Sequence, residues 1–135
     1  MIAYAPSPDR CLVAVYGTLK DNQGNHELIG KSRFINSGTT KAPLVMKSAG
    51  GFPVVFQKPG ANVSVEVYEC DETTMKRLDA LEGNGVMFQR ELTEIEFLDG
   101  SVFSCWMYYG VNKYWGRHID NMPLVSKDNF GQFSW

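Results

Sequence analysis

Cysteines, basic runs and long apolar stretches are all scarce in this chain of 135 residues. Its three cysteines, Cys11, Cys70 and Cys105, are far apart, odd in number and set among strand-like residues. This spacing fits neither a disulfide framework nor a metal knuckle, and it predicts reduced core thiols. No apolar run approaches the length of a membrane span, and the first residues lack the basic region of a signal peptide. We therefore expect a cytoplasmic protein with no membrane partner.

Charge and motifs argue against several classes of partner. The formal net charge is −2, and no long run of lysine or arginine is present to track a phosphate backbone. The two histidines, His26 and His118, lack the spacing and the acidic neighbours of a zinc site. Neither a Gly-x-x-x-x-Gly-Lys-Ser/Thr segment nor a Gly-x-Gly-x-x-Gly segment occurs. We expect no nucleic acid partner, no metal and no nucleotide cofactor.

What the chain does contain is the composition of one globular domain. It has 44% hydrophobic, 21% charged and 13% aromatic residues, and 135 residues suffice to bury a core without a metal or disulfides. We expect a single domain over 1–135, with a loose leader at 1–10 and a tail at 111–135. Aromatic residues are expected to pin this tail onto the body: Tyr114, Trp115, Phe130, Phe133 and Trp135.

Short apolar or alternating segments, separated by glycine and proline, predict a protein of many strands. Strands are predicted at 11–16, 33–40, 44–46, 53–57, 62–70, 89–98 and 101–109, and a short helical turn at 27–30. Asp99-Gly100, between the last two strands, predicts a hairpin with a two-residue type I′ turn. Together with one strong helix, these strands indicate an α+β protein whose mostly antiparallel sheet curls around a core.

One segment, 72–82, has the pattern of a helix. Asp71 is placed to cap its N-terminus, and Gly83 is placed to end it in a left-handed conformation. One face of this helix carries apolar residues: Met75, Leu78 and Leu81. Glu82 falls one heptad after Met75, so a carboxylate is predicted on the inward-facing side of the helix.

Glu82 is the first candidate for chemistry. Burial and the negative end of the helix dipole both disfavour its anion, and each would raise its pKa toward neutrality. A group with such a pKa works best as a general acid and base. The alternative is that Glu82 rotates to the boundary and is solvated, as glutamates near helix ends usually are.

The turn Tyr16-Gly17-Thr18-Leu19 is the second candidate. It follows an apolar strand, and Gly17 lets the backbone turn sharply so that amide N–H groups can approach a ligand. Successive amides form a nest suited to a carboxylate or to a carbonyl oxygen that becomes negative. The alternative is a purely structural turn.

Arg90, on a predicted strand, is a third candidate. Its guanidinium could anchor a substrate carboxylate. A lone arginine on a strand more often pairs with a neighbour across the sheet, here Glu91 or Glu94.

Five segments occur in order along the chain. They are Val15-Tyr16-Gly17-Thr18-Leu19-Lys20, Asn25-His26, Val65-Glu66-Val67-Tyr68, Leu78-Asp79-Ala80-Leu81-Glu82 and Phe88-Gln89-Arg90. The series resembles the γ-glutamyl cyclotransferase superfamily, especially its branch of γ-glutamylamine cyclotransferases and AIG2-like proteins, over residues 11–110. The resemblance implies a small mixed, mostly antiparallel β-barrel with one main helix and short flanking helices. It also implies a cofactor-free enzyme, of the lyase or acyltransferase type, that releases 5-oxoproline from a small γ-glutamyl compound.

Roles for individual residues follow from the same resemblance. The turn from Tyr16 to Leu19 would hold the γ-glutamyl moiety through backbone amides. Glu82 matches the family's catalytic glutamate, which takes a proton from the substrate's α-ammonium and later delivers one to the departing nitrogen. Because the amine attacks its own γ-carbonyl, the site chiefly has to fold the substrate and stabilise the oxyanion. Loops such as 47–52 would shape the pocket for the departing amine.

The sequence departs from the family pattern at two positions. Phe88 stands where the family usually has a tyrosine, and Asn22 where it usually has a glycine. Tyr108 lies where family members often have a tyrosine and could restore part of the lost polarity, so it joins Arg90 among the predicted substrate-binding residues. The loss at residue 88 leaves a second hypothesis open, a non-catalytic AIG2-like binding module that sequesters a small molecule or contacts a protein. For oligomeric state, we expect a monomer or weak homodimer.

Overall fold

A computed structural model describes residues 10–17, 19, 20, 23–29 and 31–135. Its elements are, in chain order, β1 (Arg10–Val15), a 3₁₀ turn (His26–Leu28), β2 (Arg33–Thr40), β3 (Leu44–Ser48), β4 (Pro53–Ala61), β5 (Ser64–Asp71), α1 (Glu72–Glu82), β6 (Phe88–Phe97), β7 (Val102–Gly110), α2 (Asn112–Trp115) and a second 3₁₀ turn (Ile119–Asn121). Of the predicted leader, only Arg10 is described, and it begins β1. None of the helices in these residues is long and apolar enough to cross a membrane.

Five of the described strands close into a barrel in the order β1, β5, β2, β6, β7. The seam is a parallel pairing between β1 and β7 at Val13 and Trp106, whereas the other neighbours in the barrel are antiparallel. β3 and β4 form a separate antiparallel pair, and β4 packs against β7. The prediction of a mixed, mostly antiparallel barrel with one main helix is confirmed.

From Leu12 to Val15, β1 is buried on both faces, which explains the unbroken apolar sequence there. Leu12 and Ala14 pack in one core cluster with residues of β5 and β7, and Val13 and Val15 pack in a second cluster. Leu78 of α1 belongs to that second cluster and is fully buried. The strand that leads into the predicted substrate turn and the helix that carries Glu82 are therefore packed together.

α1 begins and ends where its sequence predicts. The Asp71 carboxylate accepts a hydrogen bond from the backbone N–H of Thr74 at 2.8 Å, and Gly83 ends the helix with a φ of 57°. Met75 and Leu78 are buried, but Leu81 is 42% exposed. The apolar face of the helix is therefore shorter than the sequence pattern suggests, because Leu81 lines a surface cavity rather than the core.

β4 is longer than the predicted strand at 53–57. Its pairing with β3 jumps from Phe56 to Ala61, so residues 57–60 bulge out of the ladder. Pro59-Gly60, which predicted the end of a strand, lies in this bulge. Proline lacks an N–H but is tolerated at bulges and on edge strands, and among the described strands β4 pairs with β3 alone.

The hairpin between β6 and β7 is present, but its predicted turn type is wrong. The N–H of Gly100 donates to the carbonyl oxygen of Phe97, and the N–H of Phe97 donates to the carbonyl oxygen of Ser101, each at 2.9 Å. The loop therefore has three residues, 98–100, with Gly100 at a φ of 86°. A type I turn followed by a glycine in the left-handed region gives this bulged hairpin. An Asp-Gly pair is compatible with this loop and with a type I′ turn.

The segment 111–135 contacts the body through some of its aromatic residues. Those packed against the two core clusters are Trp115, Phe133 and Trp135. Backbone hydrogen bonds also join the segment to β3 and to the start of β5. Tyr114 and Phe130 are 49% and 86% exposed, so the expected pinning does not extend to them.

The cysteines are free thiols. Cys70 and Cys105 are buried and Cys11 is half-buried. Burial raises the pKa of Cys70 to about 11 and that of Cys105 to about 12. These two side chains therefore behave as core residues rather than as nucleophiles.

Candidate active site

A cavity of about 330 Å³ opens between the ends of β1 and α1 and the loop before β4. Its walls include Tyr16, Gly17, Leu19, Asn25, Phe52, Pro53, Leu81, Glu82, Met87, Phe88 and Tyr108. Most of the site residues predicted from the sequence therefore line one cavity. Thr18 and Asn22 lie outside the described residues, and Arg90 is not among the described residues that line the cavity.

The turn after β1 approaches β4 closely. A Cβ atom on residue 17 would lie 2.7 Å from Cγ of Pro53, so glycine is needed for this approach. The N–H of Lys20 donates to the carbonyl oxygen of Gly17 at 2.9 Å and closes the turn. Gly17 and Leu19 are buried, and their own N–H groups donate to none of the described residues. Buried amides of this kind suit a carboxylate or a developing oxyanion.

His26 supports this turn from behind. Its Nδ1 lies 2.9 Å from the carbonyl oxygen of Leu19, and because a carbonyl only accepts, Nδ1 must carry the hydrogen. The imidazole also packs on the ring of Tyr68, with the ring centres 5.8 Å apart. His26, which the sequence offered as a poor zinc ligand and as part of the Asn25-His26 family segment, therefore braces the backbone of the turn.

Glu82 is the last residue of α1 and faces the cavity. Burial raises the pKa of its carboxyl from 4.5 to about 7. Among the described residues, none forms a hydrogen bond or an ion pair with this carboxylate. A half-buried carboxyl group with this pKa is able both to accept and to donate a proton near neutral pH.

Two tyrosines join β1 to β7 beside the cavity. The hydroxyl of Tyr16 donates to the backbone carbonyl oxygen of Tyr108 at 2.7 Å. Burial, and to a lesser extent the charge of Glu82, raise the pKa of Tyr16 well above its ordinary value. Tyr16 is therefore neutral, and its hydroxyl hydrogen is committed to the barrel seam rather than to a ligand.

Asp79 is a polar residue of this region for which the sequence predicted no role of its own. Its Oδ1 accepts hydrogen bonds from the Tyr108 hydroxyl at 2.5 Å and from Nε of Arg90 at 3.0 Å. The Arg90 guanidinium also lies over the ring of Trp106, 4.7 Å from its centre. Arg90 is thus paired, but with the helix rather than with Glu91 or Glu94. The available signal was the position of Asp79 one turn before Glu82, on the same side of the helix.

Apolar rings form the opposite wall. Phe88 is 3% exposed and packs against Phe52 and Trp115, with ring centres 6.5 Å and 6.0 Å away. Phe52 comes from the loop expected to shape the amine pocket, and Trp115 from the tail. The ring at residue 88 therefore lines the cavity and is held in place by a cluster of aromatic residues.

The described residues show no preformed metal site. Among them, no three His, Cys, Asp or Glu side chains come close enough to hold a metal ion. The polar groups at the cavity are instead one carboxyl group, two phenols, an amide and the backbone of the turn. Such a set provides proton transfer and hydrogen bonding.

The family model described as gamma-glutamyl cyclotransferase, AIG2-like, matches residues 13–130. The chain belongs to this family. Gamma-glutamylaminecyclotransferase C of Danio rerio is 36% identical over 127 residues, which cover 87% of this chain and 76% of the relative. Gamma-glutamylaminecyclotransferase of Rattus norvegicus is 32% identical over 112 residues, which cover 71% of this chain and 75% of that relative.

A solved structure agrees with the family assignment. The crystal structure of an AIG2-like protein from Mus musculus matches with a TM-score of 0.71 and 26% identity, over 93% of this chain and 95% of that one. The family predicted from the five ordered segments is confirmed. This member of the γ-glutamyl cyclotransferase family is an enzyme of that type.

Proposed function

We propose that the protein releases 5-oxoproline from a γ-glutamyl amine, with Glu82 as the base and acid of an intramolecular acyl transfer. One observation carries the proposal. A carboxyl group with a pKa of about 7 shares a cavity with buried N–H groups that have no acceptor among the described residues. The carboxyl group suits proton transfer at neutral pH, and the amides suit the oxygen of an attacked carbonyl.

The turn after β1 is the proposed binding site of the γ-glutamyl moiety. With the γ-carbonyl oxygen on the amides of Gly17 and Leu19, the negative charge of the tetrahedral intermediate develops where donors are already in place. The attacking amine and the γ-carbon belong to one molecule. Holding that molecule in its folded form supplies a large part of the rate enhancement.

The bond changes balance without a cofactor. Glu82, as a carboxylate, takes one proton from the α-ammonium, and the freed nitrogen bonds to the γ-carbon while the carbonyl electrons move onto oxygen. When the oxyanion collapses, the bond to the amine nitrogen breaks, and Glu82 delivers its proton to that nitrogen. The attacking nitrogen loses a second proton, which the released amine carries away as its ammonium ion.

The apolar wall favours a particular kind of amine. The rings of Phe52 and Phe88 and the side chains of Leu81 and Met87 lie there, and no lysine or arginine among the described residues lines the cavity. A buried carboxylate without a cationic partner is costly. An amine with an uncharged, apolar substituent therefore fits better than an α-amino acid. Relatives named gamma-glutamylaminecyclotransferase support the choice of an amine.

The test is incubation of purified protein with a panel of γ-glutamyl amines and γ-glutamyl amino acids, with 5-oxoproline followed by mass spectrometry. Wild type should release 5-oxoproline from at least one γ-glutamyl amine. Glu82→Gln should bind the same compound and release none, whereas Glu72→Gln, an exposed change on the same helix, should leave turnover unchanged. Binding by wild type without any 5-oxoproline would replace the proposal with the non-catalytic binding module.

A further inference from the structure

Asp79 connects two side chains beside the cavity. Its Oδ1 accepts from the Tyr108 hydroxyl and from Nε of Arg90. Asp79 lies one turn before Glu82 on α1, and Tyr108 and Glu82 line the same cavity. One helix therefore carries both the proposed base and a carboxylate that accepts the hydrogen bond of the neighbouring phenol.

The Tyr108 hydroxyl has a single hydrogen, and it donates this hydrogen in the bond to Asp79. Toward any other group the Tyr108 oxygen then offers only its lone pairs, so it is an acceptor. Burial, and next the hydrogen bond to Asp79, raise the pKa of Tyr108 far above its ordinary value. The phenol therefore stays protonated, and its polarity is set by Asp79.

Arg90 keeps Asp79 in this arrangement. Its Nε shares Oδ1 with the phenol, and its guanidinium lies over the face of Trp106. A guanidinium held both by a carboxylate and by an aromatic face has little freedom to reorient. Arg90 thus acts through Asp79, and not as a direct anchor for a substrate carboxylate.

A γ-glutamyl substrate brings an α-ammonium group with three N–H donors into the cavity. In the proposed reaction Glu82 takes one of these protons, and the others need acceptors while the amine is positioned. On the premise of that function, we infer that Asp79 is a positioning residue that fixes the Tyr108 hydroxyl as an acceptor for a second N–H of the substrate amine.

The first test is a double-mutant cycle on kcat/KM, with L-γ-glutamyl benzylamide as the substrate. Asp79→Ala should lower kcat/KM about tenfold when Tyr108 is present and less than about twofold in a Tyr108→Phe background. Asp79→Asn keeps an acceptor oxygen and should recover most of the loss. Glu72→Ala removes an exposed carboxylate from the same helix and is the control. Equal losses in both backgrounds would overturn the inference.

The second test measures binding and does not depend on turnover. In a Glu82→Gln background, calorimetry compares L-γ-glutamyl benzylamide with glutaric acid monobenzylamide, which differs only by lacking the α-amine. Asp79→Ala should weaken the first compound about tenfold and the second less than about twofold. Equal weakening of both compounds, or of neither, contradicts the role. If wild type releases no 5-oxoproline, the proposed reaction fails, but this comparison still decides the role of Asp79.

Discussion

The hydroxyl of Tyr16 donates its hydrogen to the carbonyl oxygen of Tyr108 across the seam of the barrel, at 2.7 Å. At this seam, the backbone pairing between β1 and β7 in the described part of the chain is at Val13 and Trp106. The Tyr16 side chain therefore joins β1 to β7 beyond the backbone pair of Val13 and Trp106. Because both tyrosines line the cavity, the bond also fixes the width of the site at this point.

Tyr16→Phe should lower the free energy of unfolding by about 1 to 3 kcal/mol, because it leaves a buried carbonyl without its donor. Urea denaturation measures the change. Tyr114→Phe is the matched control, since Tyr114 is 49% exposed and should change stability by less than about 0.5 kcal/mol. Equal effects of the two substitutions would mean that the bond across the seam contributes nothing to stability.

Gly17→Ala should damage activity more than stability. The new Cβ would lie 2.7 Å from Cγ of Pro53, so the turn must shift away from β4 and carry its amides with it. A misplacement of about 1 Å in an active site costs about 100-fold in kcat/KM. Gly24→Ala is the control, because none of the described residues apart from its chain neighbours lies within 4 Å of its added Cβ. A fully active Gly17→Ala enzyme would remove the turn from the proposed site.

Glu82 should destabilise the protein above pH 7. Burial raises the pKa of its carboxyl from 4.5 to about 7, so between these values the folded state holds a proton that the unfolded state has lost. The free energy of unfolding therefore falls as the pH rises through this window and is level above it. Glu82→Gln should be more stable than wild type at pH 8 by about 1 to 3 kcal/mol, with the gap closing toward pH 5.

Urea unfolding of both proteins at pH 5 and pH 8 measures that gap. Glu72→Gln serves as the control, because Glu72 is exposed at the other end of the same helix. A Glu82→Gln gap that is the same at both pH values would show that the Glu82 carboxylate is solvated in the folded protein.

The same ionisation should govern the acid limb of the pH–rate profile. Glu82 must be a carboxylate to take the first proton, so kcat/KM on a confirmed substrate should rise with pH, reach half its maximum near the pKa of about 7 and level off above it. Initial rates of 5-oxoproline release between pH 5 and pH 8 test this. A profile that is flat between pH 5 and pH 8 would assign the base to another group.

Local signals were enough to predict the elements that carry the site. Asp71 and Gly83 mark the ends of α1 through interactions within a few residues, so the position of Glu82 at the helix end followed from the sequence. The hairpin was predictable for the same reason, but its turn type was not. An Asp-Gly pair is compatible with two loop lengths, and the pairing of β6 with β7 decides between them.

Contacts between distant segments could not be read from the sequence. Asp79 and Tyr108 come together only because α1 packs against the barrel, and no periodicity in either segment shows it. The partner of Arg90 was wrongly predicted for this reason, because Glu91 and Glu94 are close to it in sequence, whereas Asp79 meets it only in the folded chain. The bulge in β4 likewise depends on how β3 pairs with it.

Phe88 is the departure from the family pattern with the clearest test. Its ring lines the cavity and packs against Phe52 and Trp115, so a hydroxyl added at residue 88 enters an apolar wall. A buried hydroxyl without a partner costs about 1 to 3 kcal/mol, and a ligand with a polar group at that point would remove the cost. Phe88→Tyr should therefore shift preference toward γ-glutamyl compounds with polar amines, by about 5- to 100-fold in relative kcat/KM.

The measurement is the ratio of kcat/KM for γ-glutamyl benzylamide to that for a γ-glutamyl hydroxyalkylamide, in wild type and in Phe88→Tyr. Phe130→Tyr is the matched control, because Phe130 is 86% exposed and should leave the ratio unchanged. The catalytic step served by Glu82 should be little affected, so the pH–rate profile of Phe88→Tyr should keep its midpoint. An unaltered ratio would show that residue 88 does not touch the departing amine. Its ring would then serve only to pack Phe52 and Trp115, and the choice of amine would rest with Leu81, Met87 and the loop at 49–52 between β3 and β4.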